Sequence, residues 1–412
     1  MSLTVAIVGT LDTKGEELNY FRKLVEERGH SAILIDCGIL GKSPYRPEIS
    51  AEQVAEAAGE TMDTVRALGD EAKAMEKMAL GASRIVSEIH VSGKMDAIFA
   101  LGGTMGTFLG LSAMKALPLG LPKVMLSTAT LTQFIRPEMA PADITLMAAM
   151  VDLWGLNAVT ARMLETACAI VCGAAEAYAQ QKDVKLGVGK PLVGVTTMGT
   201  SVCRYMPWLK PLLEEQGFEV LIFHTIGIGG RCLEQLIGQG WVSGVCDLAT
   251  NELINEICGG SYIAGPERLE TAAQAGIPQV ISVGGCEAFG WGRGMDTLPA
   301  EFKKRRIQLH SKLTFAVKAN TEEMAAGGKL IAEKLNRSRG PTAVVLPLRG
   351  TSEREKPGAV FYDPEGRAAL FDALKTHLSP RTNVFELDMH INDESFSREV
   401  VRIFVDMMEQ KR

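Results

Sequence analysis

The sequence has no CxxC pair, no Walker-type phosphate loop, no GxGxxG run and no long basic block. Its eight cysteines, Cys37, Cys168, Cys172, Cys203, Cys232, Cys246, Cys258 and Cys286, are scattered. That spacing excludes a zinc ribbon or a thioredoxin-like redox pair and reads as free, mostly buried thiols of a chain in a reducing compartment. Net charge is −6 with both signs interspersed. Broad nucleic-acid binding, which needs a concentrated basic face, is thereby excluded, as is a polybasic membrane anchor. No apolar stretch reaches the roughly 18 uncharged residues of a membrane span. Residues Met1 to Val8 enter a strand directly, with neither a basic leader segment nor a cleavage site, so the expected location is the cytoplasm.

What is present is apolar residues and glycine. A chain of 412 residues that is 46% hydrophobic is too long for one ordinary core and predicts two domains. Many of its 42 glycines follow apolar runs, as turns at strand ends do. Thr4–Val8 reads as a strand ending in Gly9-Thr10. Glu16–Arg28 has helical spacing stopped by Gly29, and Ala32–Ile35 is a second strand ending at Asp36. Residues 50–90 read as helix, with Met62, Val65, Met75, Met78, Ala82, Ile85 and Ile89 at three- and four-residue steps. Strands at Ala97–Leu101 and Lys123–Ser127 and a long helix over Ala158–Gln180 complete the first half.

The charged, glycine-containing stretch from Lys182 to Lys190 marks a boundary, and the pattern then restarts at Leu192. Leu24–Gly29 aligns without a gap to Leu212–Gly217, which sets Asp36 opposite His224. Ala97–Leu101 then matches Val242–Cys246, and Val124–Ser127 matches Val280–Val283. The predicted fold is α/β. It comprises two Rossmann-like domains, 1–183 and 190–412, with largely parallel sheets related by internal duplication.

Two strand-to-helix turns carry phosphate-binding chemistry. In the first, Gly9, Thr10, Asp12, Thr13 and Lys14 combine a helix start with hydroxyls, a cation and a carboxylate that can hold magnesium or cap the helix. In the second, Gly102, Gly103, Thr104, Gly106 and Thr107 allow close backbone approach and supply hydroxyls. Both should meet at the carboxyl edge of one sheet, with Ser127–Thr130 as a further wall. Asp36 either holds ribose hydroxyls, as in dinucleotide folds, or caps a turn. A dinucleotide such as NAD is the weaker fit without GxGxxG.

The second half places polar clusters after strand-like runs. These include His224, Arg231 in Gly227–Arg231, Asp247, Asn251 and Glu252, Cys286 and Glu287 after Gly284-Gly285, and later His310, Lys318, Asn320, His390 and Asp393. His224 and His310 suit acid–base work, Cys286 a nucleophile if exposed, and Arg231 a clamp for carboxylate or phosphate. Histidine beside Asp or Glu can also bind metal. Enzymatic and purely binding roles both remain open at this point.

At these residues the sequence resembles the Tm-1-like ATP-binding family, also called UPF0261. The resemblance rests on GTLDTKGEE (Gly9–Glu17), LGGTMGT (Leu101–Thr107), GVTTMGTS (Gly194–Ser201), FHTIGIGGR (Phe223–Arg231), DLATNEL (Asp247–Leu253), GGCEAFGWG (Gly284–Gly292) and HIND (His390–Asp393). It implies ATP and Mg2+ bound in the N-terminal domain through Gly9–Lys14 and Gly102–Thr107, and a homodimer or higher homo-oligomer. It supplies no reaction. The expectation is a metabolic enzyme handling a small organic acid or sugar in its C-terminal domain, or else a nucleotide-responsive regulatory protein.

Overall fold

The computed structural model describes residues 2–132, 134–181 and 189–410. The chain divides into two compact units, Met1–Lys185 and Leu186–Arg412. The expected linker residues from Lys182 to Val188 lie outside the described residues.

The first unit contains β1 (Thr4–Gly9), α1 (Leu11–Glu27), β2 (Ser31–Asp36), α2 (Ala51–Ala57), α3 (Met62–Ala67), α4 (Glu71–Val91), β3 (Ala97–Gly102), α5 (Thr104–Lys115), β4 (Lys123–Ser127), β5 (Thr145–Ala148) and α6 (Ala158–Gln181). Its strands form one parallel sheet in the order β2-β1-β3-β4-β5. Both faces are covered, as a parallel sheet requires. Side chains alternate between faces with the strand's period of two. Val5 and Ile7 pack with α1 and α6, whereas Ala6 and Val8 pack with α2, α4 and α5. Phe21 of α1 stacks on Phe99 of β3 with ring centroids 3.6 Å apart. Among the described residues, α6 is the one helix long and apolar enough to cross a membrane by length and composition. Its Met163, Leu164, Ala167, Cys168, Val171 and Cys172 belong to this unit's core.

Two local expectations are corrected. The single helix over 50–90 is three helices, because Gly59 (φ +83°) and Gly69 (φ +62°) turn left-handed. Each break is followed by a new N-cap, Thr61 and then Asp70, whose side chains accept from Thr64 N and Lys73 N. The loop expected from Gly9 to Gly15 is mostly helix. α1 starts at Leu11 and kinks at Lys14, which sits at φ −127°, ψ 21°.

The second unit opens with β6 (Leu192–Thr197), α7 (Met206–Glu215), β7 (Glu219–His224), α8 (Ile228–Gly238), β8 (Val242–Asp247), α9 (Asn251–Cys258), α10 (Thr271–Ala275) and β9 (Gln279–Ile281). An insertion follows: β10 (Ala288–Trp291), α11 (Ala300–Lys303), β11 (Ile307–Leu309) and β12 (Phe315–Lys318). α12 (Thr321–Leu335), β13 (Thr342–Pro347), α13 (Pro364–His377), β14 (Asn383–Leu387) and α14 (Glu394–Gln410) complete it. The main sheet is parallel, ordered β14-β13-β9-β8-β6-β7, and the insertion forms a separate antiparallel sheet, β10-β12-β11.

The first unit's strand order recurs in β7-β6-β8-β9-β13. The matched rungs recur as well: Gly9 pairs with Asp36, and Thr197 with His224. The antiparallel insertion has no counterpart among the described residues of the first unit.

Candidate functional site

In the first unit, the starts of α1 and α5 line one cleft of about 260 Å³. Thr10, Asp12, Thr13 and Lys14 come from one turn, and Gly102, Gly103, Thr104 and Gly106 from the other. α5 begins at Gly103 with no side-chain cap, so its first N–H groups carry the unsatisfied positive end of the helix. Thr10 and Thr13 hydroxyls bond each other at 2.7 Å. The kink in α1 aims Lys14 so that Nζ donates to the Leu153 carbonyl and lies over the Trp154 ring, 5.2 Å from its centroid. Asp12 Oδ2 accepts from Leu40 N at 2.7 Å, whereas Oδ1 is buried with no partner among the described residues.

Three sequence candidates stand apart from the cleft. Asp36 is buried, and its Oδ1 accepts from Leu11 N (3.0 Å) and Gly38 N (2.9 Å). It is a capping aspartate; burial raises its pKa, opposed by those two backbone bonds. Thr107 is fully buried, its hydroxyl 2.6 Å from that of Ser127. Gly9 lets α1 approach the strand, since a Cβ there would sit 2.6 Å from Leu18. The sequence reading missed the apolar wall, Ile39, Leu40, Met75 and Met105, and the carboxylate of Glu71. Ile39 and Leu40 follow β2 and Glu71 opens α4, elements whose convergence depends on the topology.

The second unit has its own cleft, of about 300 Å³, at the edge where β7 ends. His224 and His310 both line it, together with Thr200, Tyr262, Thr314 and Arg354. His224 Nδ1 accepts from Gly199 N at 3.2 Å, so the neutral ring carries its proton on Nε2. This is the contact that Asp36 makes with Leu11 N, since Gly199 matches Leu11 in the repeat as His224 matches Asp36. His310 Nε2 lies 2.8 Å from Arg354 Nη2. A guanidinium only donates, so this imidazole accepts there. Partial burial and the Arg354 charge hold the His310 pKa below its ordinary value.

The other predicted catalytic residues do not join this cleft. Cys286 is fully buried and hydrogen-bonded to Thr250, and burial pushes its thiol up to about 12, so it is no nucleophile. Glu287 is fully buried and accepts from Thr351 Oγ1 (3.1 Å) and Ser352 Oγ (2.5 Å), which anchors the loop carrying Arg354. Arg231 is buried in α8, its Nε donating to the Ala264 carbonyl at 3.3 Å. The glycines before it serve packing, because a Cβ at Gly229 would strike the His224 carbonyl and one at Gly230 the Glu252 carboxylate.

The acidic residues of DLATNEL are likewise internal. Arg268, 1% exposed, pairs with Asp247, Glu252 and Glu234. Asn251 bonds both the hydroxyl and the carbonyl of Thr225. Lys318 pairs with Asp363, Asn320 caps α12, and Asp393 accepts from His390 N within a turn. Among the described residues, no group of three or more His, Cys, Asp or Glu side chains is arranged to hold a metal.

The model of the uncharacterised protein family UPF0261 matches this chain in two parts, its N-terminal domain over residues 3–180 and its C-terminal domain over residues 190–408. The chain belongs to the UPF0261 family. A UPF0261 protein of Clostridium tetani is 37% identical over the full length of both chains. One of Brucella suis is 36% identical, covering 97% of this chain and 94% of that protein. The tomato (Solanum lycopersicum) protein named as the ToMV resistance protein Tm-1 is 30% identical over 99% of this chain, which spans 56% of that protein's length. The UPF0261 matches extend across both clefts, so each cleft is built from family sequence.

Proposed function

We propose that this chain binds ATP with Mg2+ in the cleft of its first unit and acts on a second small molecule, an organic acid or sugar, in the cleft of its second unit. One observation carries the first part. Two helix starts about ninety residues apart in sequence, α1 and α5, line a single cleft whose remaining wall is apolar apart from Glu71. Anionic oxygens suit the uncapped N–H groups of α5 and the hydroxyls of Thr10, Thr13 and Thr104. A base suits Ile39, Leu40, Met75 and Met105.

The residues also fit Mg2+. Asp12 has a buried carboxylate oxygen without a partner among the described residues, and Glu71 lines the same cleft. One or two carboxylates are the usual protein share of a magnesium–phosphate site. When bound, the ion neutralises phosphate charge; the chain's own part is to hold and orient the nucleotide.

In the second cleft, the His224 Nε2–H is turned to donate, and His310, accepting from Arg354, lines the same space. The burial of Cys286 favours one further reading, a nucleotide-responsive binding protein with no covalent step. The homo-oligomer implied by the family resemblance belongs to either reading and is checked by light scattering.

The test of the nucleotide site is calorimetry with ATP, with and without Mg2+. Gly103 has an ordinary φ of −76°, and a Cβ there meets only the Thr128 hydroxyl at 3.7 Å. Gly103→Val should therefore fold, yet lose at least tenfold in ATP affinity, about 1.4 kcal/mol. A folded variant with unchanged affinity refutes the placement. Turnover of ATP with organic acids or sugars, abolished by His224→Ala while ATP binding is retained, separates enzyme from regulator.

A further inference from the structure

We propose that the second unit's cleft is a carboxylate site anchored by Arg354, and that its ligand is a small organic acid rather than a neutral sugar or a phosphate ester. The inference deepens the second half of the proposed function and does not depend on nucleotide binding in the first unit.

The distinguishing feature is a guanidinium that has no carboxylate in direct contact among the described residues. The other basic residues of the same stretch of chain are paired: Arg349 with Asp388, Lys356 with Glu353, and Arg367 with Glu355. Arg354 has no ion pair among the described residues, and its side chain's hydrogen-bond partner is the His310 imidazole, a neutral acceptor. The larger cavity of about 640 Å³ nearby, lined by Arg204, Arg349, Lys356 and Arg367, is therefore the weaker anion site, because each of its arginines and lysines already faces a carboxylate.

Arg354 is also held in place. Its backbone N donates to Ser352 Oγ at 3.1 Å, and Ser352 and Thr351 are fixed by the buried Glu287. His310 takes one of the two Nη2 hydrogens, which leaves one two-donor edge of the fork, built on the other Nη2 hydrogen, without a partner among the described residues. A rigid, half-buried guanidinium with two unused donors matches a carboxylate edge.

Charge selects among anions. Among the described residues Arg354 is the one formal cation lining the cleft, and the buried Glu287 behind it offsets part of its charge. A guanidinium partly offset in this way balances a single carboxylate and leaves a phosphate dianion undercompensated. Met198, Ile226 and Phe289 supply an apolar floor, and Thr200, Thr314 and His224 supply partners for a hydroxyl or keto group.

The test uses the full chain without nucleotide, titrated by calorimetry with glycolate, lactate, glycerate and gluconate, and in parallel with glycerol and inorganic phosphate. At least one acid should bind with Kd below about 10 mM and at least tenfold more tightly than glycerol or phosphate. Arg354→Gln should weaken that acid by tenfold or more. Arg349→Gln, on an arginine already paired, should leave it unchanged. Should Arg354→Gln misfold, protection of Arg354 from phenylglyoxal by the acid replaces it as the readout in the unaltered chain. Phosphate binding as tightly as the acids, acid binding indifferent to Arg354, or no acid binding at all overturns the proposal. ATP titrations of the same Arg354→Gln protein keep the two sites apart. Retained ATP affinity with lost acid affinity supports both sites. Lost ATP affinity in Gly103→Val leaves this site untouched.

Discussion

Arg268→Met should destabilise the second unit severely and in a pH-dependent way. Arg268 donates to both oxygens of Asp247 (2.7 Å for the Nη2–Oδ1 bond), to Glu252 at 2.6 Å and to Glu234 at 3.4 Å, all of them buried. Removing one partner of a buried ion pair costs about 3–5 kcal/mol. Here one substitution strands three carboxylates, so about 4 kcal/mol is a lower expectation, against a typical total stability of about 5–15 kcal/mol. For a unit of this size that is a fall of roughly 8–16 °C in Tm.

The sign with pH follows from protonation. Burial already holds Glu234 and Glu252 above the usual carboxylate range, with Arg268 opposing it. Without Arg268 their folded pKa values rise further. A raised folded pKa means stability present at low pH and lost as pH rises through that value. The deficit should therefore be small near pH 5 and largest at pH 7–8. Urea unfolding followed by the fluorescence of Trp291, buried in this unit, measures it. Because Glu252 also holds Gly227 N (2.7 Å) and Gly230 N (3.2 Å), the turn after His224 should loosen too. A loss below about 1 kcal/mol, or one flat from pH 5 to 8, would refute the account of this network.

Two further outcomes are expected. Gly102→Ala and Gly103→Val should separate packing from binding. A Cβ at Gly102 sits 2.7 Å from Gly106 Cα, so thermal melts should show a loss of about 1–3 kcal/mol, whereas Gly103→Val should melt near the parent temperature. Thiol labelling of the native chain should stop at two of the eight cysteines, Cys203 and Cys232, the two not buried; native-rate labelling of Cys286 contradicts its placement.

The sheet framework was legible because buried parallel strands are short apolar runs followed by glycine. The recurrence of Leu-Leu-Glu-Glu-Gln-Gly after Leu-Val-Glu-Glu-Arg-Gly set the register linking Asp36 to His224. What sequence concealed was burial. Cys286, Glu287 and Glu252 each follow a strand, as catalytic residues do, but their partners Thr250, Ser352 and Arg268 are distant in sequence or on other elements. Arg354 was overlooked for the converse reason. It lies in a stretch rich in charge, and only the pairing of its neighbours leaves it distinct. The three-helix break at Gly59 and Gly69 was readable in principle, since each glycine precedes a Thr or Asp cap.

The repeated rung at the end of the second strand shows how a supporting position can acquire a second duty. A carboxylate there, as at Asp36, spends one oxygen on both backbone amides and stays inside. An imidazole in the same place has two chemically distinct nitrogens on opposite sides of the ring. At His224 one of them takes over the inherited brace, and the other is delivered to open space with its hydrogen in hand.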